Sequence, residues 1–271
     1  MSKLVYIGGY GHSGSTLLEY LLTASAKVVA CGEVLAALHA RLRKQKCTCG
    51  KAVSDCEVWG RFSREHLQLD RWTHQDLTLE LLSEVSGNHT MLVDSSKTAW
   101  RSATTPLRFR RMLGRQFHLI HIVRDPRAVC WSILRRAQST GNLPSSELLR
   151  CAFTTLGWWT ANLTCELFGL LYRDQYVRVR YEDLTRSTIP CMNRLFQALL
   201  TEGDIRFDTL GATSNRHQLY GNRMRRRRLS LSGIKEDREW SRVMPPASLR
   251  LVEALSWPLR RKYGYSVGDS E

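Results

Sequence analysis

Residues 4–18, LVYIGGYGHSGSTLL, decide the fold. Leu4 to Ile7 is a short apolar run of strand type, Gly8 to Gly14 is a glycine-rich loop, and Thr16 to Thr23 has the pattern of a helix. A strand, a glycine-rich turn and a helix in that order bring inward-pointing backbone N–H groups together with the partial positive charge of a helix N-terminus. Such a turn suits an anionic group. Gly9 to Thr16 has the spacing of a P-loop, but Ser15 stands where the ATP-binding version has lysine. That lysine normally neutralises the β- and γ-phosphates, so ATP or GTP use loses its main cation. Taken alone, the turn serves equally well as a tight strand–helix connection without a ligand.

Working outward, three further apolar runs each end in a polar cluster. Met91-Leu92-Val93 leads into Asp94-Ser95-Ser96-Lys97. Phe117 to Val123 ends at Arg124-Asp125-Pro126, with a helix expected from Arg127 to about Ala137. Tyr176 to Arg180 ends at Tyr181-Glu182-Asp183-Leu184 and precedes a helix around Cys191–Leu200. Short β-rich runs alternating with helical patterns predict an α/β fold with a central parallel sheet flanked by helices, in a three-layer P-loop-like arrangement. Ligands of such sheets sit beyond the carboxyl ends of the strands, which is where all four polar clusters fall. One domain over 1–271 is expected, with a Cys-rich insertion at about 41–75, a loop over 138–147 and an irregular basic stretch over 211–245.

The chain carries 40 Lys+Arg against 25 Asp+Glu, a formal net charge of +15. That surplus exceeds what solubility needs and favours a phosphate-rich or polyanionic ligand. The run Arg225–Arg228 invites a nucleic-acid reading, but no nucleic-acid fold or aromatic stacking pattern accompanies it. No apolar run approaches the roughly 18 residues of a membrane span. A first strand beginning at Leu4 leaves no room for a removable leader. A cytoplasmic location is therefore expected, with the eight cysteines reduced.

Arg124 offers a planar fork for a phosphate, and Ser132 adds a hydroxyl about two helical turns later. A structural reading, in which Asp125 caps the helix, explains Asp125 and leaves Ser132 without a role. Together the segments GHSGSTLL (Gly11–Leu18) and IVRDPRAVCWS (Ile122–Ser132) resemble the two nucleotide-binding segments of the sulfotransferases that use 3′-phosphoadenosine-5′-phosphosulfate (PAPS). Val93–Lys97, Val179–Leu184, and Leu219-Tyr220-Gly221-Asn222 followed by basic residues, Asp237 and Trp240 resemble bacterial members as well.

The resemblance implies sulfuryl transfer from PAPS to a hydroxyl or amine of a carbohydrate, lipid or small-metabolite acceptor, leaving PAP. It implies that Gly11, Ser13, Gly14, Ser15 and Thr16 hold the 5′-phosphosulfate, and Arg124 and Ser132 the 3′-phosphate. Gly221, Asn222 and Arg225 would close over the nucleotide. The family usually has lysine or arginine before Ser-Gly-Ser/Thr-Thr, and here that position is His12. His12 supplies charge to the leaving group only when protonated, or serves as its general acid. Glu33 is similar to a family base for the acceptor, and Lys97 to a lysine that contacts the transferring group. No metal is expected in catalysis. Two rivals stand beside this reading. One is a P-loop phosphotransferase with Asp94 holding Mg²⁺, and the other a PAPS- or PAP-binding module without activity.

Two other groups have structural explanations. Trp158-Trp159 and Phe168–Tyr172 fit a helix packing its apolar face. Cys47, Cys49 and Cys56 could supply three thiolates to zinc, with a fourth ligand from His66 or Cys31. Reduced buried cysteines or a disulfide are the expectation against it.

Overall fold

The run Lys3–Gly8 forms β1, the middle strand of a five-stranded sheet. The order is β2 (Val28–Ala30), β3 (Met91–Asp94), β1, β4 (Phe117–Val123) and β5 (Tyr176–Arg180). Every pairing is parallel. The computed structural model describes residues 2–40, 46–64, 72–87, 91–141, 146–199, 207, 215–227 and 229–265.

Alternation along β1 assigns its side chains to two faces. Leu4 and Tyr6 pack with Leu92, Phe117 and Leu119. Val5 and Ile7 pack with Val93, Ile120 and Ile122. Both faces are covered, which is why the inner strands read as unbroken apolar runs. On the first face lie α2 (Val34–His39), α4 (His74–Val85), α5 (Thr105–Leu113) and α7 (Glu147–Leu171), contributing Val34, Leu81, Phe109 and Phe168. On the second lie α1 (Ser15–Leu22) and α9 (Thr188–Leu199), contributing Leu18, Leu21, Leu195 and Phe196. The expected three-layer α/β architecture is thus present.

The strands at 117–123 and 176–180 coincide with the expected ones. The helix after β4, α6, runs from Pro126 to Ser139, and α8 (Tyr181–Arg186) directly follows β5. The short strand β2, the single-turn helix α10 (Trp240–Val243) and the long C-terminal helix α11 (Pro246–Lys262) were not anticipated. From α11, Val252 packs with Leu134 and Cys151, and Leu259 with Val129 and Trp158. Trp158 is fully buried, as the packing explanation requires, whereas Leu170 and Leu171 are exposed. The described part of the 41–75 stretch includes α3 (Gly60–Arg64) and lends Trp59 and Phe62 to the core around Leu4 and Tyr6. No described helix is long and apolar enough to cross a membrane.

From β1 the chain moves to β2 and β3 on one side, then returns to β4 and β5 on the other. The carboxyl end of β1 therefore lies at a topological switch point, the usual ligand position of an open parallel sheet.

Candidate active site

The loop after β1 is shaped by glycines that no other residue replaces without strain. Gly9 has φ +134°, and a Cβ there would fall 2.4 Å from the Ile122 carbonyl oxygen. Gly14 has φ +93°, and a Cβ there would fall 2.4 Å from Cδ2 of Tyr181. The loop can thus press against the end of β4 and the ring of Tyr181. The Gly9 N–H donates to Thr98 Oγ1 at 2.9 Å, tying the loop to the segment after β3. His12 adopts φ +65°, a left-handed conformation uncommon outside glycine. Two contacts hold it there. Nη1 of Arg124 donates to the His12 carbonyl at 3.0 Å, and the His12 Nδ1 lies 2.8 Å from Ser132 Oγ.

Around this loop opens a cleft of about 750 Å³. Gly11, His12, Gly14, Ser15, Thr16, Glu33, Lys97, Arg124, Ser132, Gly221 and Asn222 line it, so five separate segments converge, four of them following strand ends. Nζ of Lys97 donates to Ser15 Oγ at 2.9 Å and lies 3.1 Å from Glu33 Oε1. The Asn222 N–H donates to Thr16 Oγ1 at 3.4 Å, drawing the late basic segment onto the start of α1. The Arg124 guanidinium stacks 4.3 Å from the Tyr181 ring centroid and faces Asp237 at 3.5 Å.

Two expected residues sit differently. Ser13 does not line the cleft, and its buried Oγ has no hydrogen-bond partner among the described residues. Arg225 does not line it either, and its Nη1 folds back on the carbonyls of Gly221 at 2.6 Å and Asn222 at 3.3 Å. From the same basic run, Arg227 reaches the cleft instead. Sequence reasoning also missed Arg135, Arg136 and Tyr181, which line it. For the two arginines the signal was present, since positions three and four after Ser132 share its helix face.

Burial pushes the His12 imidazole down to about 4, reinforced by the cations of Arg136, Lys97 and Arg124. His12 is therefore neutral near pH 7 in this structure, a hydrogen-bonding group and not a cation. Behind Glu33 lies Glu19, pushed up to about 7 by burial. It accepts from the Gly32 N–H at 2.6 Å and from Ser95 Oγ at 2.9 Å, fixing the turn that presents Glu33. Burial raises Asp237, but Arg124, the Glu239 N–H and Arg135 outweigh it and hold the carboxyl below its ordinary range.

Asp94, the carboxylate that a phosphotransferase would need for Mg²⁺, is engaged elsewhere. It is fully buried, with His74 Nε2 2.6 Å from Oδ2. Its Oδ1 accepts from Ser96 N at 2.8 Å and Ser96 Oγ at 2.6 Å. Asp125 serves as the cap of α6, accepting from the Arg127 N–H at 2.9 Å and pairing with the Arg127 guanidinium at 2.7 Å. Arg127 in turn reaches Glu253 on α11 at 2.8 Å, so this cluster braces α6. Cys47, Cys49 and Cys56 do gather, and among the described residues their fourth neighbour is not the Cys31 that the sequence suggested. Cys31 lies outside the group, whose fourth member is His217, and His66 falls outside the described residues.

Residues 5–203 match the model of the sulfotransferase family. No curated protein sequence matches the chain. Solved structures of similar fold include the sulfotransferase domain from the curacin biosynthetic pathway, at 19% identity and TM-score 0.57, covering 94% of this chain and 98% of that one. Mouse sulfotransferase SULT7A1 complexed with PAP matches at 13% identity and TM-score 0.57, covering 97% and 86%. A sulfotransferase from Alicyclobacillus acidocaldarius matches at 12% identity and TM-score 0.54, covering 100% and 98%. At these identities the likeness shows the shared fold, while the family match spans most of the chain. The protein therefore belongs to the sulfotransferase family.

Proposed function

We propose that the protein transfers the sulfuryl group of PAPS to a hydroxyl or amine of a carbohydrate, lipid or small-metabolite acceptor in this cleft. The observation that carries the reading is a pair of anion cradles on one cleft. One is the loop Gly11–Thr16 with Lys97, and the other is Arg124 and Ser132 with Arg135 and Arg136. PAPS has anionic groups at both ends of its ribose, and PAP, bound in the mouse structure of similar fold, is the product such transfer would leave. One buried polar atom on the cleft wall fits that ligand, because Arg124 Nε has no partner among the described residues.

The chemistry then follows from placement. The acceptor oxygen or nitrogen bonds to sulfur as the bond from sulfur to the bridging phosphate oxygen breaks, and PAP keeps the electron pair. The acceptor proton passes to Glu33, which lines the cleft and shares the Lys97 ammonium with the loop's Ser15. A positioned base of this kind contributes roughly 10²–10⁴-fold. Lys97 already bridges Ser15 and Glu33, so it neutralises charge between the donor loop and the base. By analogy with phosphoryl transfer, positioning and cationic clamps supply most of the remaining rate. With Asp94 bonded to His74 and Ser96, the phosphotransferase reading lacks its magnesium carboxylate.

Incubation with sulfur-labelled PAPS and a panel of acceptors, without Mg²⁺, tests the proposal. Labelled product is expected, and Glu33→Gln should lower its rate. Tight PAP binding with no transfer to any acceptor would favour a binding module, and Mg²⁺-dependent transfer from ATP would favour a phosphotransferase.

A further inference from the structure

Cys47, Cys49 and Cys56 meet His217, which comes from 161 residues beyond Cys56. The His217 Nδ1 lies 3.1 Å from Cys56 Sγ and 3.9 Å from Cys47 Sγ. Cys56 Sγ lies 3.6 Å from Cys47 Sγ and 3.9 Å from Cys49 Sγ. All four atoms fall within 4.8 Å of one another. A tetrahedral zinc ion with Zn–S of about 2.3 Å and Zn–N of about 2.0–2.1 Å sets its ligand atoms about 3.5–3.8 Å apart. The observed separations straddle that edge length. A disulfide needs sulfurs about 2.05 Å apart, and all three cysteines are free thiols.

The local chain is built to aim these sulfurs at one point. Cys47 and Gly50 close a turn through Gly50 N–H to Cys47 O at 3.0 Å, with Gly50 at φ +92°. The Cys47 N–H donates to Lys51 O at 3.0 Å, and Lys46 bridges Ala52 antiparallel, so two thiols leave a tight hairpin on one side. A following turn at Val53–Asp55 returns Cys56 to them. Cys47, Cys56 and His217 are buried, so four protein ligands surround a closed point. Four protein ligands without an open position make a structural site, as opposed to a catalytic one.

We infer that Cys47, Cys49, Cys56 and His217 bind one structural zinc ion that fastens the Cys47–Cys56 hairpin to the segment entering the cleft. Hydrogen bonds tie the same segment to the sheet edge and to the hairpin. The His217 N–H donates to Ala30 O at 2.8 Å, the Ala30 N–H donates to Asn215 O at 3.0 Å, and Thr48 Oγ1 donates to Arg216 O at 2.7 Å. Four residues after His217 the chain reaches Gly221 and Asn222 on the cleft wall. The ion thus anchors the base of the late basic segment, and its presence does not depend on which donor the cleft accepts.

The full-length chain, expressed with added zinc and purified without chelator, is expected to contain about one zinc per chain by mass spectrometry of metals. Cys49→Ser and His217→Ala should lose it, while Cys31→Ser and Cys191→Ser retain it. Should the ligand variants fail to fold, the wild-type chain answers alone. Cobalt substitution should give the visible absorption of tetrahedral cobalt with a sulfur-to-metal charge-transfer band, and chelation should lower Tm. Less than a tenth of an equivalent of zinc, stoichiometric iron, an intact mass reporting a disulfide among these cysteines, or loss of zinc in Cys31→Ser would each overturn the assignment.

Discussion

The His12 Nδ1 lies 2.8 Å from Ser132 Oγ, joining the loop after β1 to the second turn of α6. Because Arg124 also donates to the His12 carbonyl, His12 is gripped from both ends by the segment Arg124–Ser132. The two anion cradles are therefore one mechanical unit, and an anion in one changes the field felt in the other.

That coupling predicts proton uptake on nucleotide binding. His12, held down to about 4 by burial and by Arg136, Lys97 and Arg124, is neutral at about pH 6 in the free protein. A bound polyanion offsets those cations and raises the imidazole pKa, so His12 gains a proton. Calorimetry of PAP binding in buffers of different ionisation enthalpy should show more uptake in the wild type than in His12→Asn. Equal uptake in both would leave His12 a hydrogen-bonding group only, and His12→Arg would then not rescue turnover.

Glu33 and Lys97, 3.1 Å apart, should separate in kinetics. Glu33→Gln removes the base and is expected to lower kcat by roughly 10²–10⁴-fold with little change in the KM for PAPS. Lys97→Ala removes a donor to Ser15 and a charge beside the transferring group, so both kcat and PAPS affinity should fall. A Glu33→Gln enzyme turning over at the wild-type rate would take Glu33 out of the mechanism.

Glu19 links the site to stability. Its folded value of about 7 lies above the ordinary 4.5, so the folded state binds the proton more tightly than the unfolded chain. Stability from this group is fully present below about pH 4.5 and is lost as pH rises through about 7. Glu19→Gln keeps an acceptor for the Gly32 N–H and carries no such penalty. Its unfolding free energy relative to wild type should rise between about pH 5 and pH 8, by at most roughly 3 kcal/mol. A difference that stays flat with pH would contradict the buried, proton-holding carboxyl.

The strands at 117–123 and 176–180 were legible because buried parallel strands leave apolar runs with polar ends. β2 was not, since Val28–Ala30 is too short for any periodicity and is fixed by pairing with β3. Most cleft residues were legible because they follow strand ends directly. Arg135 and Arg136 required knowing that α6 continues to Ser139 with their side of it facing the loop. His217 carried no local signal, because its place follows from contacts distant in sequence, the bridge between Arg216 and Ala30 at the sheet edge and the bonds from Thr48 and Trp59 to the carbonyls of Arg216 and His217. Cys31 was misleading for a related reason. Its N–H bonds to Val93 O, which continues the sheet and sends its side chain into the core with Tyr6.

Gly14 is expected to tolerate no side chain. Gly14→Ala would force a left-handed Cβ against the Tyr181 ring, where Cδ2 stands 2.4 Å from the Cβ position. A strained backbone of this kind costs on the order of 1–3 kcal/mol. Lower Tm together with weakened PAP binding is the expected result, and an unchanged Tm would show that the ring moves aside freely.

Titration of the purified protein with PAP and with adenosine 5′-monophosphate, both without Mg²⁺, bears most directly on the assignment of two anion cradles to one donor. The 3′-phosphate should meet Arg124, whose charge-assisted hydrogen bonds are worth roughly 10- to 100-fold in affinity. PAP is therefore expected to bind at least about tenfold more tightly than the monophosphate, with the difference abolished in Arg124→Ala. Equal affinity for the two nucleotides in the wild type would contradict the account.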